Sequence, residues 1–158
     1  MPSNKTGYIN YRDLPPDPRL RKLQQIWESL RRDGYLPRTT AELLAAFPDA
    51  TDHASLVEIR HEGGKRRYFV VKEGPAVIAA VGLDGTGTYV DDLGDTPEFT
   101  TILTSDYDGI IASKEPRLYA EEHHLDGRRR DIMGIQLPFA ADGENVDFIL
   151  EFVYPLAE

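Results

Sequence analysis

Residues 54–93 read ASLVEIRHEGGKRRYFVVKEGPAVIAAVGLDGTGTYVDDL. Ala54 to Glu62 carries Leu56, Val57 and Ile59, and Arg66 to Glu73 carries Tyr68, Phe69, Val70 and Val71. Between the two runs stands Gly63-Gly64, a pair that tolerates the positive φ angles of a tight hairpin turn, so the stretch predicts two antiparallel strands. The pattern then changes. Pro75 to Val81 is a short, Ala-rich apolar segment bracketed by Gly74 and Gly82, which predicts one or two helical turns. Asp84-Gly85-Thr86-Gly87 reads as a turn region, and Tyr89 to Leu93 follows it.

Downstream, Thr96 is placed to cap a longer helix that starts at Pro97 and ends before Pro116, with Phe99, Ile102, Leu103, Asp106, Ile110 and Ile111 on its inner face. Three strands close the chain. Arg117 to Leu125 turns at Asp126-Gly127, and Arg128 to Phe139 turns at Asp142-Gly143. The last, Asn145 to Tyr154, is almost wholly apolar: Phe148, Leu150 and Phe152 point one way, Ile149 and Val153 the other. A sheet with one wet face would alternate apolar and polar residues. Both faces of this strand must therefore be covered, one by the helical insert of residues 75–115 and the other by an element from the N-terminal part.

That element is legible. Asp17 can cap and Pro18 suits the first helical position; Leu20, Leu23, Trp27 and Leu30 follow at spacings of three, four and three, with Ile26 beside them. An amphipathic helix is expected over residues 17–33, with Arg31 and Arg32 in its last turn and Gly34 as its stop. Burying the four stripe residues is worth roughly 6–12 kcal/mol before entropy. The stripe must pack on its own sheet, on a second copy of the chain, or on both, and its spacing also suits a coiled-coil seam. Leu20, Leu23, Trp27 and Leu30 are therefore the candidate homodimer interface. A short second helix is expected from Thr39 or Thr40 to about Phe47, ended by Pro48. The chain divides into a leader (1–16), a helical cap or dimerisation segment (17–48) and an α+β domain (49–158).

The order strand, strand, helices, then three strands, behind a leading amphipathic helix, resembles the PAS fold. The resemblance is closest to a bacterial family of short stand-alone PAS proteins, through Gly74, Gly82, Asp84, Thr86, Gly87, Tyr89, Asp92 and Leu93, and through the Arg-rich strand, Leu137-Pro138, Asp142-Gly143 and Val146-Asp147 of the C-terminal stretch. It spans roughly residues 17–154 and departs at Gly85, where that family prefers a larger apolar residue. The resemblance implies a five-stranded antiparallel sheet with the helical insert between its second and third strands. It also implies a pocket between insert and concave face, homodimers through the N-terminal helix, a role in bacterial signal transduction, and no catalytic residues. Phe69, Val71, Ile102, Tyr107, Met133 and Phe148 are the expected pocket wall, each with plain core packing as its competing role.

The chemistry the residues allow is narrow. With no cysteine among 158 residues, disulfides, Cys-ligated zinc, iron–sulfur clusters, thiol catalysis and cysteine-adduct flavin photochemistry fall away. The residues of the long insert helix hold no His, Met or Cys to ligate haem axially, and Tyr107 is the one conceivable ligand there. Glu121-Glu122-His123-His124 invites a metal reading, but on a strand only Glu121 with His123, or Glu122 with His124, share a face, and two ligands do not close a site. A polar, exposed or half-exposed strand is the simpler expectation; were it to line the pocket, one His could touch a ligand. Lys65-Arg66-Arg67 and Arg128-Arg129-Arg130 both begin at hairpin turns, where solvated charge is ordinary. Asp84 to Gly87 lacks the lysine and spacing of a phosphate loop, and Asp91, Asp92 and Asp95 sit in a loop where Asp is common. No nucleophile elbow or H-E-x-x-H is present.

The formal net charge of −9 argues against nucleic acid as the main partner. No apolar run approaches the ~20 residues of a membrane span, and Met1 to Gly7 does not read as a signal peptide. The expectation is a cytoplasmic, non-enzymatic PAS-type sensor, a homodimer with a small-molecule ligand or a signalling partner, its cofactor unspecified. The competing expectation is an NTF2-like α+β cone, a fold that hosts isomerases and hydratases and wants Asp, His or Tyr facing a deep apolar pocket.

Overall fold

A computed structural model describes residues 7–40, 43–93 and 97–156. Its order is β1 (Tyr8–Arg12), α1 (Pro18–Leu30), β2 (Ala54–Glu62), β3 (Lys65–Glu73), α2 (Pro75–Val81), α3 (Pro97–Ser113), β4 (Arg117–Leu125), β5 (Arg128–Phe139) and β6 (Phe148–Pro155). The sheet is antiparallel throughout, in the order β1-β4-β5-β6-β2-β3. The architecture is α+β with the expected helical insert, but the sheet has six strands instead of five. Residues 8–12, assigned above to the leader, form the sixth. They pair with β4 from Tyr8↔His124 to Arg12↔Ala120 and cover an edge that would otherwise expose a row of backbone donors and acceptors. Tyr8 also stacks on His124 at 4.2 Å.

The hairpin turns form as their residues require. Gly63 and Gly64 take φ of +57° and +77°, and Asp126 and Gly127 take +54° and +75°, two positive values in each case as a tight two-residue turn demands. Asp17 caps α1, accepting from the Arg19 and Leu20 amides, with Pro18 just inside. The helix is shorter than expected: it stops at Leu30, so Arg31 and Arg32 lie beyond its last turn, and Gly34 belongs to a tight turn closed by Tyr35 N–H donating to Arg32 O, 2.9 Å. The second helix is not α-helical. Leu43–Ala46 and Pro48–His53 are two short 3-10 segments, and Pro48 begins the second of them. Thr39, an expected cap, instead donates to Asp147 Oδ1 at 2.6 Å. The Thr96 cap and Asp95 lie outside the described residues.

The two-sided burial expected of the last strand holds: every residue from Ile149 to Tyr154 is buried. Leu150 and Phe152 face the N-terminal cap, where Leu20, Leu23, Trp27 and Phe47 are buried within the single chain and the Phe47 ring lies 5.0 Å from that of Phe152. Val153 faces the insert and clusters with Val77 and Ala80 of α2, Tyr119 and Ile132. The α1 stripe is thus covered in cis; of the four candidate interface residues, Leu30 alone stays half-buried.

Gly74 joins β3 to α2 under a close approach. A Cβ there would stand 2.2 Å from Asp52 O. Gly74→Ala is expected to destabilise the fold by about 1–3 kcal/mol, the usual cost of overpacking. A lowered urea midpoint at unchanged slope would register it.

Candidate functional site

The insert and the concave sheet face line a partly open cavity of about 60 Å³. At roughly 10–15 Å³ for each water, that is room for a few waters or a ligand of a few heavy atoms. Its wall is mostly apolar: Val70, Val77, Val81, Leu83, Val90 and Phe99 among others. Set into it are Ser55, Glu73, Tyr107, Tyr119, His123 and Glu151.

Of the six residues expected to line the pocket, Tyr107 does. Phe69 and Val71 lie on the opposite side of β3: Tyr68 and Val70 are the buried pair, Val71 is 39% exposed, and Phe69 packs under the Arg60 guanidinium at 3.7 Å. An irregularity in the β2–β3 register between Leu56 and Val57 sets Glu73 on the cavity side together with Val70, three residues away. Met133 and Phe148 also face away, since their strand neighbours Ile132 and Ile149 take the inward positions; Met133 pairs with Tyr154 and Phe148 with Glu58. Ile102 packs on Ile9, Phe99 and Leu125 near the β1 edge, and its neighbour Leu103 reaches the cavity instead.

The polar groups are joined into one network. Glu151 is buried on β6, where its two carboxylate oxygens accept from Tyr107 at 3.4 Å and, more closely, from Tyr119; Gln136, its neighbour across the β5–β6 pair, also bonds it. Burial dominates and pushes the Glu151 carboxyl up to about 7, against the opposing pull of these hydrogen bonds. Burial likewise holds the Tyr107 and Tyr119 phenols well above their usual range, and the Glu151 charge adds to it. Gly134 makes room for this arrangement: a Cβ there would meet the Tyr119 hydroxyl at 2.5 Å.

Beside this lies a second cluster. Arg117 donates to Glu121 Oε2 at 3.0 Å and to Gln136 Oε1 at 3.1 Å, and stands 3.4 Å from Asp106. Tyr11 of β1 donates to Asp106 Oδ1 at 2.9 Å, so the added edge strand reaches into the network. His123 Nε2 lies 2.9 Å from Glu121 Oε1, and its Nδ1 has no partner among the described residues. The sequence favours an exposed or half-exposed strand for Glu121 and His123; they are instead 2% and 4% exposed, while Glu122 and His124 take the other face, half-buried. No group of three or more metal-ligating side chains occurs among the described residues.

Glu73 completes the set. Burial raises its carboxyl above the ordinary range, and its Oε1 accepts from the Gly85 amide at 2.6 Å. A Cβ on Gly85 would sit 3.0 Å from that oxygen, so the glycine at which the sequence departs from the PAS-like pattern is the one that lets the backbone reach Glu73.

The basic hairpin clusters are largely paired. Arg67 bridges Glu62, Asp91 and Asp92 at 2.9–3.1 Å, Lys65 stands 3.8 Å from Asp91, and Arg129 pairs with Glu122 and Asp131. Thr86 N–H donates to Asp84 Oδ1, as a turn would have it.

No family model and no curated protein matches this chain. Among solved structures, the dark structure of the blue-light photoreceptor Aureochrome1 LOV matches at a TM-score of 0.49 and 11% identity, over 78% of this chain and 88% of that one. An RNA-binding Light-Oxygen-Voltage receptor matches at 0.47 and 14%, over 97% of this chain and 39% of that one. Among the described residues no helix is long and apolar enough to cross a membrane.

Proposed function

We propose that this chain is a PAS-type sensory module that binds a small ligand between its helical insert and its sheet, and that it works in bacterial signal transduction as a homodimer without catalysing a reaction. One observation carries the reading: the cavity lies where the insert meets the concave face, and its apolar wall holds a few converging polar groups, the usual make-up of a ligand site. Leu20, Leu23 and Trp27 are already covered by their own sheet, so a dimer would draw on the half-buried Leu30 and on exposed apolar side chains such as Tyr35 and Leu118.

A catalytic cone of the NTF2 type is the second reading, favoured by the Glu121–His123 pair and the Tyr107–Glu151–Tyr119 cluster, which are acid–base groups in an apolar setting. The helical insert between strands weighs against it. Native mass spectrometry beside the denatured mass is the direct test. Extra mass lost on denaturation, on an even-numbered oligomer, is expected. A bare monomer at tens of micromolar concentration would sink both the ligand and the dimer.

A further inference from the structure

The polar groups of the cavity have a common sense: they accept hydrogen bonds. The tyrosine hydroxyls direct their protons at Glu151, leaving lone pairs to accept. Glu151 and Glu73 offer carboxylate oxygens. Nε2 of His123 lies 2.9 Å from Glu121 Oε1, and in the tautomer that donates there Nδ1 is an acceptor; among the described residues Nδ1 is unpartnered, on a side chain only 4% exposed. Ser55, the remaining member of this polar set, can turn its hydroxyl to donate or accept.

Charge points the same way. Glu73, Asp106, Glu121 and Glu151 surround the network, and Arg117 is the guanidinium that answers them, engaged with Glu121 and Asp106 on its own side. Among the described residues neither lysine nor arginine lines the cavity. Carboxylates removed from water without a cation are costly, and a bound cation would relieve that cost. Among the described residues no group of three or more side chains is arranged to hold a metal ion, and an organic cation would be held through its N–H donors.

We infer that the cavity takes a small organic ammonium ion, a primary amine of a few heavy atoms, whose N–H groups donate to Glu151, Glu73 and His123 Nδ1. The inference rests on the ligand-binding reading above and narrows it to one charge and one hydrogen-bonding sense.

The test is isothermal titration and thermal shift of the full chain with methylammonium, ethylammonium and propylammonium chloride. Tetramethylammonium chloride, sodium chloride and sodium acetate at equal ionic strength serve as comparisons. Saturable binding of the primary ammonium ions is expected, at least tenfold tighter than that of tetramethylammonium, which has no N–H to donate. Glu151→Gln and Glu73→Gln, which keep side-chain size, should each weaken it tenfold or more, while Glu58→Gln on the opposite face should leave it unchanged. Far-ultraviolet circular dichroism of each variant would confirm that it is folded. If acetate or a neutral co-purified molecule occupies the cavity while the ammonium ions do not, the cation inference is overturned and the ligand-binding reading stands. If no molecule of any charge binds and none co-purifies, both fail together.

Discussion

Replacing Glu151 with Gln is expected to stabilise the protein at pH 8 by on the order of 3 kcal/mol, and to change it little at pH 5. The native fold holds this carboxyl's proton up to about pH 7, against an ordinary value of 4.5, chiefly because the group is buried. Between those two values the native state binds more protons than the unfolded chain, so stability falls as pH rises. This contribution is fully present below about pH 4.5 and is gone above about pH 7. Holding a proton to a pH one unit higher in the folded state than in the unfolded chain is worth about 1.4 kcal/mol, which sets the magnitude. Glutamine keeps an oxygen to accept from Tyr119 and carries no charge to desolvate. Chemical denaturation of both proteins at pH 5 and pH 8 reads the difference directly. Parallel pH dependence in the two would mean that Glu151 is not the buried acid described here. The same variant is expected to lose ammonium binding while gaining stability, so a loss of binding could not be blamed on unfolding.

Trp27→Ala should cost about 3–5 kcal/mol, a large share of the roughly 5–15 kcal/mol that holds a typical domain together. Trp27 is fully buried between α1 and the outer face of β5, and its indole Nε1 donates to Pro138 O at 2.8 Å. Truncation leaves a cavity and an unpaired carbonyl. Trp27→Phe keeps most of the apolar contact and forfeits the hydrogen bond, for which about 1–3 kcal/mol is expected. Because Trp27 is the single tryptophan of the chain, its native emission should be blue-shifted and should move to the red on unfolding. Emission already red in the native protein would refute the packing of α1 on its own sheet. A loss near ~1 kcal/mol on truncation to alanine would place the residue at a loosely packed surface.

Much of this architecture could be read from residue order. Leu20, Leu23 and Trp27 at helical spacing, Gly63-Gly64 and Asp126-Gly127 at two-residue turns, and apolar residues on both parities at 148–153, interrupted at Glu151, are local signals, and each acts through the conformation of a few neighbouring residues. They suffice for the helical insert, the two hairpins and the demand that both faces of β6 be covered. What only the tertiary structure decided depends on pairing between distant segments. The five residues from Tyr8 to Arg12 are a strand because β4 offers them an open edge 112 residues away. Glu121 and His123, not Glu122 and His124, turn inward because of the register of β4 on β5, and one step of slip would exchange them. The β2–β3 irregularity likewise sets Val70 and Glu73 inside and Phe69 and Val71 outside. Glu151, an acidic residue in an otherwise apolar strand, carried a local trace of the site. Its partners Tyr107, Tyr119 and Gln136 come from three other elements, and only the folded sheet brings them within hydrogen-bonding reach.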